Sequence, residues 1–188
     1  MFFVGFTMLQ PNRPRTAWPI SHHDLITLKQ PCYTVNSELV YDFRQSPQVK
    51  SNMAKYLFGG FERCLYPYQQ FQSDAERVLS IILDRETHKW FKPARGQFCI
   101  DYQWQGSQPE YQPDFITETD NQIYMIEVKA SHQMAAGDVQ AKKTAAITWC
   151  KNASEYSQKY GGKVWNYVLI PHDKIKENMT VQGLCTNL

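Results

Sequence analysis

Apolar and polar positions recur with two different periods along this chain, and the changes of period divide it into elements. Between Val49 and Cys64, Met53, Tyr56, Leu57 and Phe61 recur at helical spacing, interrupted by Gly59-Gly60, which predicts a broken helix or two short ones. Ser73-Asp74-Ala75-Glu76 then opens a stronger helix: Ser73 can cap it, and Glu76, three residues on, completes a capping box. Ala75, Val78, Leu79, Ile82 and Leu83 form its buried stripe. The period next shortens to two. Trp90-Phe91-Lys92 and the run from Gln97 to Trp104, with Phe98, Ile100, Tyr102 and Trp104 alternating, read as strand, and Gly106-Ser107 as a turn. Tyr111 to Thr117 and Gln122 to Ala130 read as two more strands, joined by a tight hairpin over Thr119-Asp120-Asn121. A long helix is predicted from Gly137 to Tyr160, with Val139, Ala146, Trp149, Cys150, Ala153 and Tyr156 on one face and Gly161-Gly162 ending it. Lys163 to Pro171 is a nearly continuous apolar strand, the pattern of one covered on both faces. Helix, three strands, helix, strand predicts an α/β sandwich, a mixed β-sheet with helices on both faces.

Composition narrows this picture only slightly. A chain of 188 residues with 43% hydrophobic and 20% charged residues suits one domain with a real core. Residues 1–48 carry Pro11, Pro14, Pro19, Pro31 and Pro47, a spacing that forbids long helices and predicts an N-terminal arm with short strands. The body is then 49–188. Arg13 and Arg15 in the arm fit a solvated tether first and a phosphate contact second. A net charge of +2 permits a nucleic-acid partner without requiring one. The five cysteines form no CxxC pair and no zinc spacing with the histidines, which reads as reduced thiols in a cytoplasmic protein. No apolar run is long enough for a membrane span, and the apolar start at Met1–Leu9 lacks the basic flank of a signal peptide.

The candidate chemistry lies in Tyr111-Gln112-Pro113-Asp114-Phe115 and Ile123-Tyr124-Met125-Ile126-Glu127-Val128-Lys129. On a strand, Glu127 and Lys129 share a face while Val128 points to the other. If the run before Glu127 pairs with the run around Asp114, two carboxylates and an amine converge at one end of a hairpin. Such a group can hold Mg²⁺, a hard cation that takes oxygen ligands and is satisfied by one or two carboxylates plus substrate phosphate. Asp114 and Glu127 are the expected ligands, the Val128 carbonyl a third, and Lys129 the group beside the reacting phosphate. The alternative is an ordinary hairpin whose polar face carries an acid and a lysine. Glu76 is a fourth candidate, either a capping residue alone or a ligand through a bound water. On the helix after the motif, Gln140, Lys142 and Lys143 are candidate DNA contacts, with a solvated face as the ordinary reading. Gln133 is a similar candidate, and His132 reads as a bystander.

Together these segments resemble the PD-(D/E)xK nucleases, in particular the C-terminal endonuclease domain of the restriction subunit of type III restriction–modification enzymes and related helicase–nuclease proteins. The resemblance runs from about Leu57 to Pro171 and is carried by LFGGFERCLYPYQQFQSDAERVLSIIL, WFK, YQPDFITE, MIEVKA, KKTAAITWC and WNYVLIP. It implies a restriction-endonuclease-like fold and Mg²⁺-dependent, site-specific cleavage of double-stranded DNA, with Mn²⁺ able to substitute. It also implies catalytic roles for Asp114, Glu127 and Lys129, with Glu76 in support. In that family an ATP-driven motor precedes the nuclease, yet this chain has no GxxxxGK[ST] phosphate loop and no room for helicase domains. The resemblance therefore implies that sequence recognition, a helicase or ATPase module and any methyltransferase subunit lie outside these residues. Cutting both strands usually needs two active sites, which makes a transient dimer on DNA a further expectation. Two other readings stay open: a different PD-(D/E)xK activity, such as transposon-end or junction cleavage, and a catalytically idle DNA-binding module.

Overall fold

The computed structural model describes Tyr33, residues 40–94, Gly96 and residues 100–186. Most of the expected arm, with Arg13 and Arg15, lies outside these residues, as do Gln97 and Phe98.

The centre is a four-stranded mixed sheet of β3 (Lys89–Phe91), β6 (Phe115–Glu118), β7 (Gln122–Lys129) and β8 (Val164–Pro171), in the order β3-β6-β7-β8. The first two pairings are antiparallel and the last is parallel. The β6–β7 hairpin closes over the expected Thr119-Asp120-Asn121 turn, with Glu118 opposite Ile123 and Thr119 N–H donating to the Gln122 carbonyl at 2.9 Å. Parallel pairing of β7 and β8 needs a crossover, and α2 (Gly137–Lys159) supplies it. Gly161, at φ +72°, lets the chain leave that helix while Gly162 N–H closes onto the Ser157 carbonyl at 2.9 Å.

Strand periodicity sorts the core into two layers. Ile123 and Met125 of β7 pack with Phe91, Ile116 and Trp165 beneath Ala146, Trp149, Cys150 and Ala153 of α2. Ile126 and Val128, on the other face, pack with Trp90, Phe115, Val168 and Ile170 beneath α1 (Asp74–Glu86) and the short α3 (Val181–Thr186). The expected mixed sheet with helices on both faces is what forms. In α1, Leu79, Ile82 and Leu83 are buried, and Ala75 and Val78 pack at the margin. Ser73 caps the helix as expected, with Glu76 N–H donating to Ser73 Oγ at 3.2 Å. The return half of the expected box is displaced: the Glu76 carboxylate accepts the Gln72 N–H, one residue before the cap, at 3.2 Å.

Two expectations are corrected. Leu57 is not helical: Lys50–Lys55 forms a 3₁₀ turn, Tyr56 is extended, and Leu57–Gly59 is strand β2, parallel to β1 (Val40–Asp42). The pairing of Phe58 with Gln69, through two 2.9 Å backbone hydrogen bonds, locks that segment as strand, a non-local contact that overrides helical spacing. The run from Tyr111 to Thr117 is not one strand. Glu110–Tyr111 is β5, paired with β4 (Ile100–Asp101) in a separate two-stranded ribbon, and β6 starts only at Phe115. Pro113 has no N–H to give to a ladder, so the break falls where pairing cannot continue. The ribbon rests on the start of α2: a Cβ at Gly137 would stand 2.5 Å from the Trp104 ring.

Candidate functional site

The site forms at the end of the sheet where β6 begins and β7 finishes. Continuing the β6–β7 register one step past Phe115–Ile126 puts Asp114 opposite Glu127. Asp114 Oδ2 accepts the Val128 N–H at 2.9 Å, so its carboxylate is anchored to the strand that carries the second acid. Glu127 is 4% exposed, and Lys129, two residues on and on the same face, donates to Glu127 Oε1 at 2.7 Å. Val128 turns its side chain into the α1 layer between them.

Electrostatics set this corner apart from the rest of the protein. Burial pushes the Glu127 carboxyl up, and the neighbouring Asp114 charge pushes it further, from 4.5 to about 7, against the opposing pull of Lys129 and Tyr111. Burial works against the Lys129 ammonium, but Glu127, Asp114 and Glu76 more than offset it and hold its pKa above the usual lysine value. Two acids held together in a poorly hydrated corner, one of them reluctant to ionise, form a site that a cation relieves. Elsewhere opposite charges pair conventionally, as where Lys89 and Lys163 flank Glu118 at 2.9 and 2.7 Å.

Glu76 reaches this end of the sheet from the first turn of α1 and is 5% exposed. Its Oε2 accepts the Gln72 N–H at 3.2 Å and pairs with Lys92 Nζ at 2.5 Å. Lys92 continues the chain from β3 and lies 4.4 Å from the Phe115 ring centroid, against the residue that follows Asp114. Glu76 therefore ties down the chain that enters its helix and adds charge to the corner, while its ionic partner is Lys92.

The α2 candidates stand apart from these contacts. The Gln140 amide donates to the Met134 carbonyl at 2.6 Å. Lys142 pairs with Asp138 at 3.3 Å and lies 5.6 Å from the Tyr102 ring centroid. Lys143 lines a cavity of about 430 Å³ with Gln140, Met134 and Tyr167. Gln133 and His132 are exposed on the 3₁₀ turn Ser131–Gln133.

Periodicity missed Tyr111 and Lys92. The Tyr111 hydroxyl donates to Glu127 Oε2 at 3.0 Å from a strand of the β4–β5 ribbon. Burial and the Glu127 charge hold its pKa well above the ordinary tyrosine value, so it stays a donor. Both residues stand in the segments YQPDF and WFK, yet neither spacing nor residue type marks them as partners of the acids.

Among the described residues no group of three or more His, Cys, Asp or Glu side chains is placed to hold a metal ion. The Asp114–Glu127 pair is nonetheless an all-oxygen donor set of the size Mg²⁺ uses when substrate phosphate completes its shell. Burial pushes the thiols of Cys64, Cys150 and Cys185 up to about 11, 12 and 12, which leaves them protonated and poor nucleophiles. No helix among the described residues is long and apolar enough to cross a membrane. Comparison with protein families, with curated proteins and with solved structures finds no match to this chain.

Proposed function

We propose that the chain is a metal-dependent DNA endonuclease of the PD-(D/E)xK type, with Asp114, Glu127 and Lys129 as its active site. The observation that carries the reading is the convergence of Asp114 with the buried Glu127–Lys129 pair, where Glu127 is pushed up to about 7. Paired carboxylates whose charge is costly in isolation are suited to a divalent cation, and Asp114 and Glu127, with the Val128 carbonyl, would hold Mg²⁺ or Mn²⁺. When bound, such an ion supplies an activated water and a counter-charge for the crowded phosphate. The chain's own contribution is orientation and charge. Asp114 is fixed by the Val128 N–H, Glu127 by Lys129, and the Lys129 ammonium stands where negative charge grows on the phosphate. Glu76 and Lys92 flank the site and set its local potential. In this reading the fold is restriction-endonuclease-like and double-stranded DNA is the substrate. The type III restriction nuclease domain is the nearest functional analogue, working with a helicase or ATPase module and a methyltransferase subunit. Two copies meeting transiently on DNA would cut both strands.

A plasmid-cleavage assay in Mg²⁺, Mn²⁺ and EDTA, with Asp114→Ala and Lys129→Ala beside the wild type, tests the proposal. Metal-dependent cutting by the wild type is expected, and Lys129→Ala is expected to lose about 10²–10³ in rate, the usual cost of removing one group that stabilises transition-state charge. DNA affinity is expected to change far less, because other phosphate contacts share that term. The gel separates nicking from double-strand cutting. A wild type that binds DNA without cutting it in either metal favours the idle binding module, and near-normal cutting by either variant removes the assigned site.

A further inference from the structure

Glu127 is bound through both oxygens, and the two bonds come from different parts of the fold. Lys129 holds Oε1 from the same strand, two residues away. Tyr111 holds Oε2 from β5, which belongs to the β4–β5 ribbon and pairs with nothing in the central sheet. The terminal torsion of a glutamate is a broad, roughly two-fold rotor, so one anchor leaves the plane of the carboxylate loosely set. Two anchors on different oxygens define it.

We propose that Tyr111 is a positioning residue of the Asp114–Glu127 metal site, its hydroxyl fixing the Glu127 carboxylate in the orientation that lets both acids share one divalent cation. The inference rests on the nuclease reading of those acids and adds a residue to it. Three features support the assignment. Tyr111 is 4% exposed, so water does not compete for its hydroxyl. It stands three residues before Asp114, with Pro113 stiffening the link, so one short segment delivers a ligand and the group that orients the other ligand. The third is a contrast with a neighbour. Tyr167, on β8, lies beside the Tyr111 hydroxyl and feels the Glu127 charge, yet among the described residues no hydrogen bond ties it to the carboxylate, so proximity alone does not make a phenol a partner of Glu127. The strands of the ribbon that carries Tyr111 are connected through Trp104, whose ring packs against Gly137 at the start of α2.

Outer partners of metal ligands typically contribute about 10–100-fold to metal affinity. The test is a titration of Mn²⁺ into the full chain without DNA, followed by the electron paramagnetic resonance signal of the free ion. Wild type, Tyr111→Phe, Tyr167→Phe and Asp114→Ala are compared at a temperature where circular dichroism shows all four folded. Tyr111→Phe is expected to weaken Mn²⁺ binding about 10–100-fold. Its plasmid cutting is expected to fall at low Mg²⁺ and to recover as Mg²⁺ is raised, whereas Tyr167→Phe changes neither. A purely structural tyrosine would lower the melting temperature and leave the metal titration where it was. Tyr111→Phe binding Mn²⁺ as tightly as wild type overturns the role of Tyr111 while the site stands. A wild type with no Mn²⁺ binding that Asp114→Ala removes overturns the site, and this inference with it.

Discussion

Glu127→Gln separates the energetic cost of the site from its use. The wild-type carboxyl is displaced from 4.5 to about 7, which at roughly 1.4 kcal/mol per decade of proton affinity amounts to ~3 kcal/mol. The folded-state pKa is raised, so the folded chain binds the proton more tightly than the unfolded one. Below about 4.5 that stability is fully present, and it is lost as pH rises through 7. Glutamine keeps the shape and never ionises. Its carbonyl can still accept from Tyr111, but its amide then faces the Lys129 ammonium, donor against donor, at a cost of about 1 kcal/mol. Lys129 stays charged throughout this range because its pKa is raised. Urea unfolding in EDTA is therefore expected to show the variant more stable by ~2 kcal/mol at pH 8.5, with the advantage gone or slightly reversed at pH 4.5. Taking the difference between the two proteins cancels the other carboxylates, such as Asp74 and Glu118, whose lowered values give stability the opposite pH dependence. Added Mg²⁺ is expected to stabilise the wild type alone, by ~2.7 kcal/mol at a hundred times the dissociation constant. A difference between the proteins that stays constant from pH 4.5 to 8.5 would refute the claim that Glu127 is held in an unfavourable ionised state.

Glu76→Gln is expected to destabilise by about 3 kcal/mol, well beyond the ~1 kcal/mol of a cap, because it strands Lys92 without its buried partner. Adding Lys92→Met should recover most of that loss, and cleavage by the double variant then reports what Glu76 contributes to chemistry; a single variant as stable as wild type would discount the ion pair. Asp84 accepts from the Glu62 and Arg63 amides at 3.0 and 2.9 Å and from Trp90 Nε1 at 2.9 Å, so Asp84→Ala strands all of these donors. A loss of about 3 kcal/mol by urea unfolding is expected, and a loss under about 1 kcal/mol would show that water replaces the carboxylate.

What the sequence by itself determined is what short-range physics encodes. Ser73 and the stripe to Leu83 define α1, the Thr119-Asp120-Asn121 turn defines the β6–β7 hairpin, and the apolar face ending at Gly161-Gly162 defines α2. The two-residue period of a strand alone places Glu127 and Lys129 on one face, and the hairpin register carries Asp114 to them, so the core of the candidate site was legible before any tertiary contact was known. Tertiary structure decided the rest. Leu57–Gly59 became a strand because β1 and Gln69 offered its backbone partners, which no local spacing announces. Tyr111 left the run that reads as one strand because Pro113 broke the ladder and β4 captured it, and only that capture brings its hydroxyl to Glu127. Lys92 met Glu76 across sixteen residues of chain for the same reason. Periodicity and capping act within a turn or two of helix or across one hairpin. The partners that orient and charge the acids come from distant segments, whose meeting depends on how the layers pack.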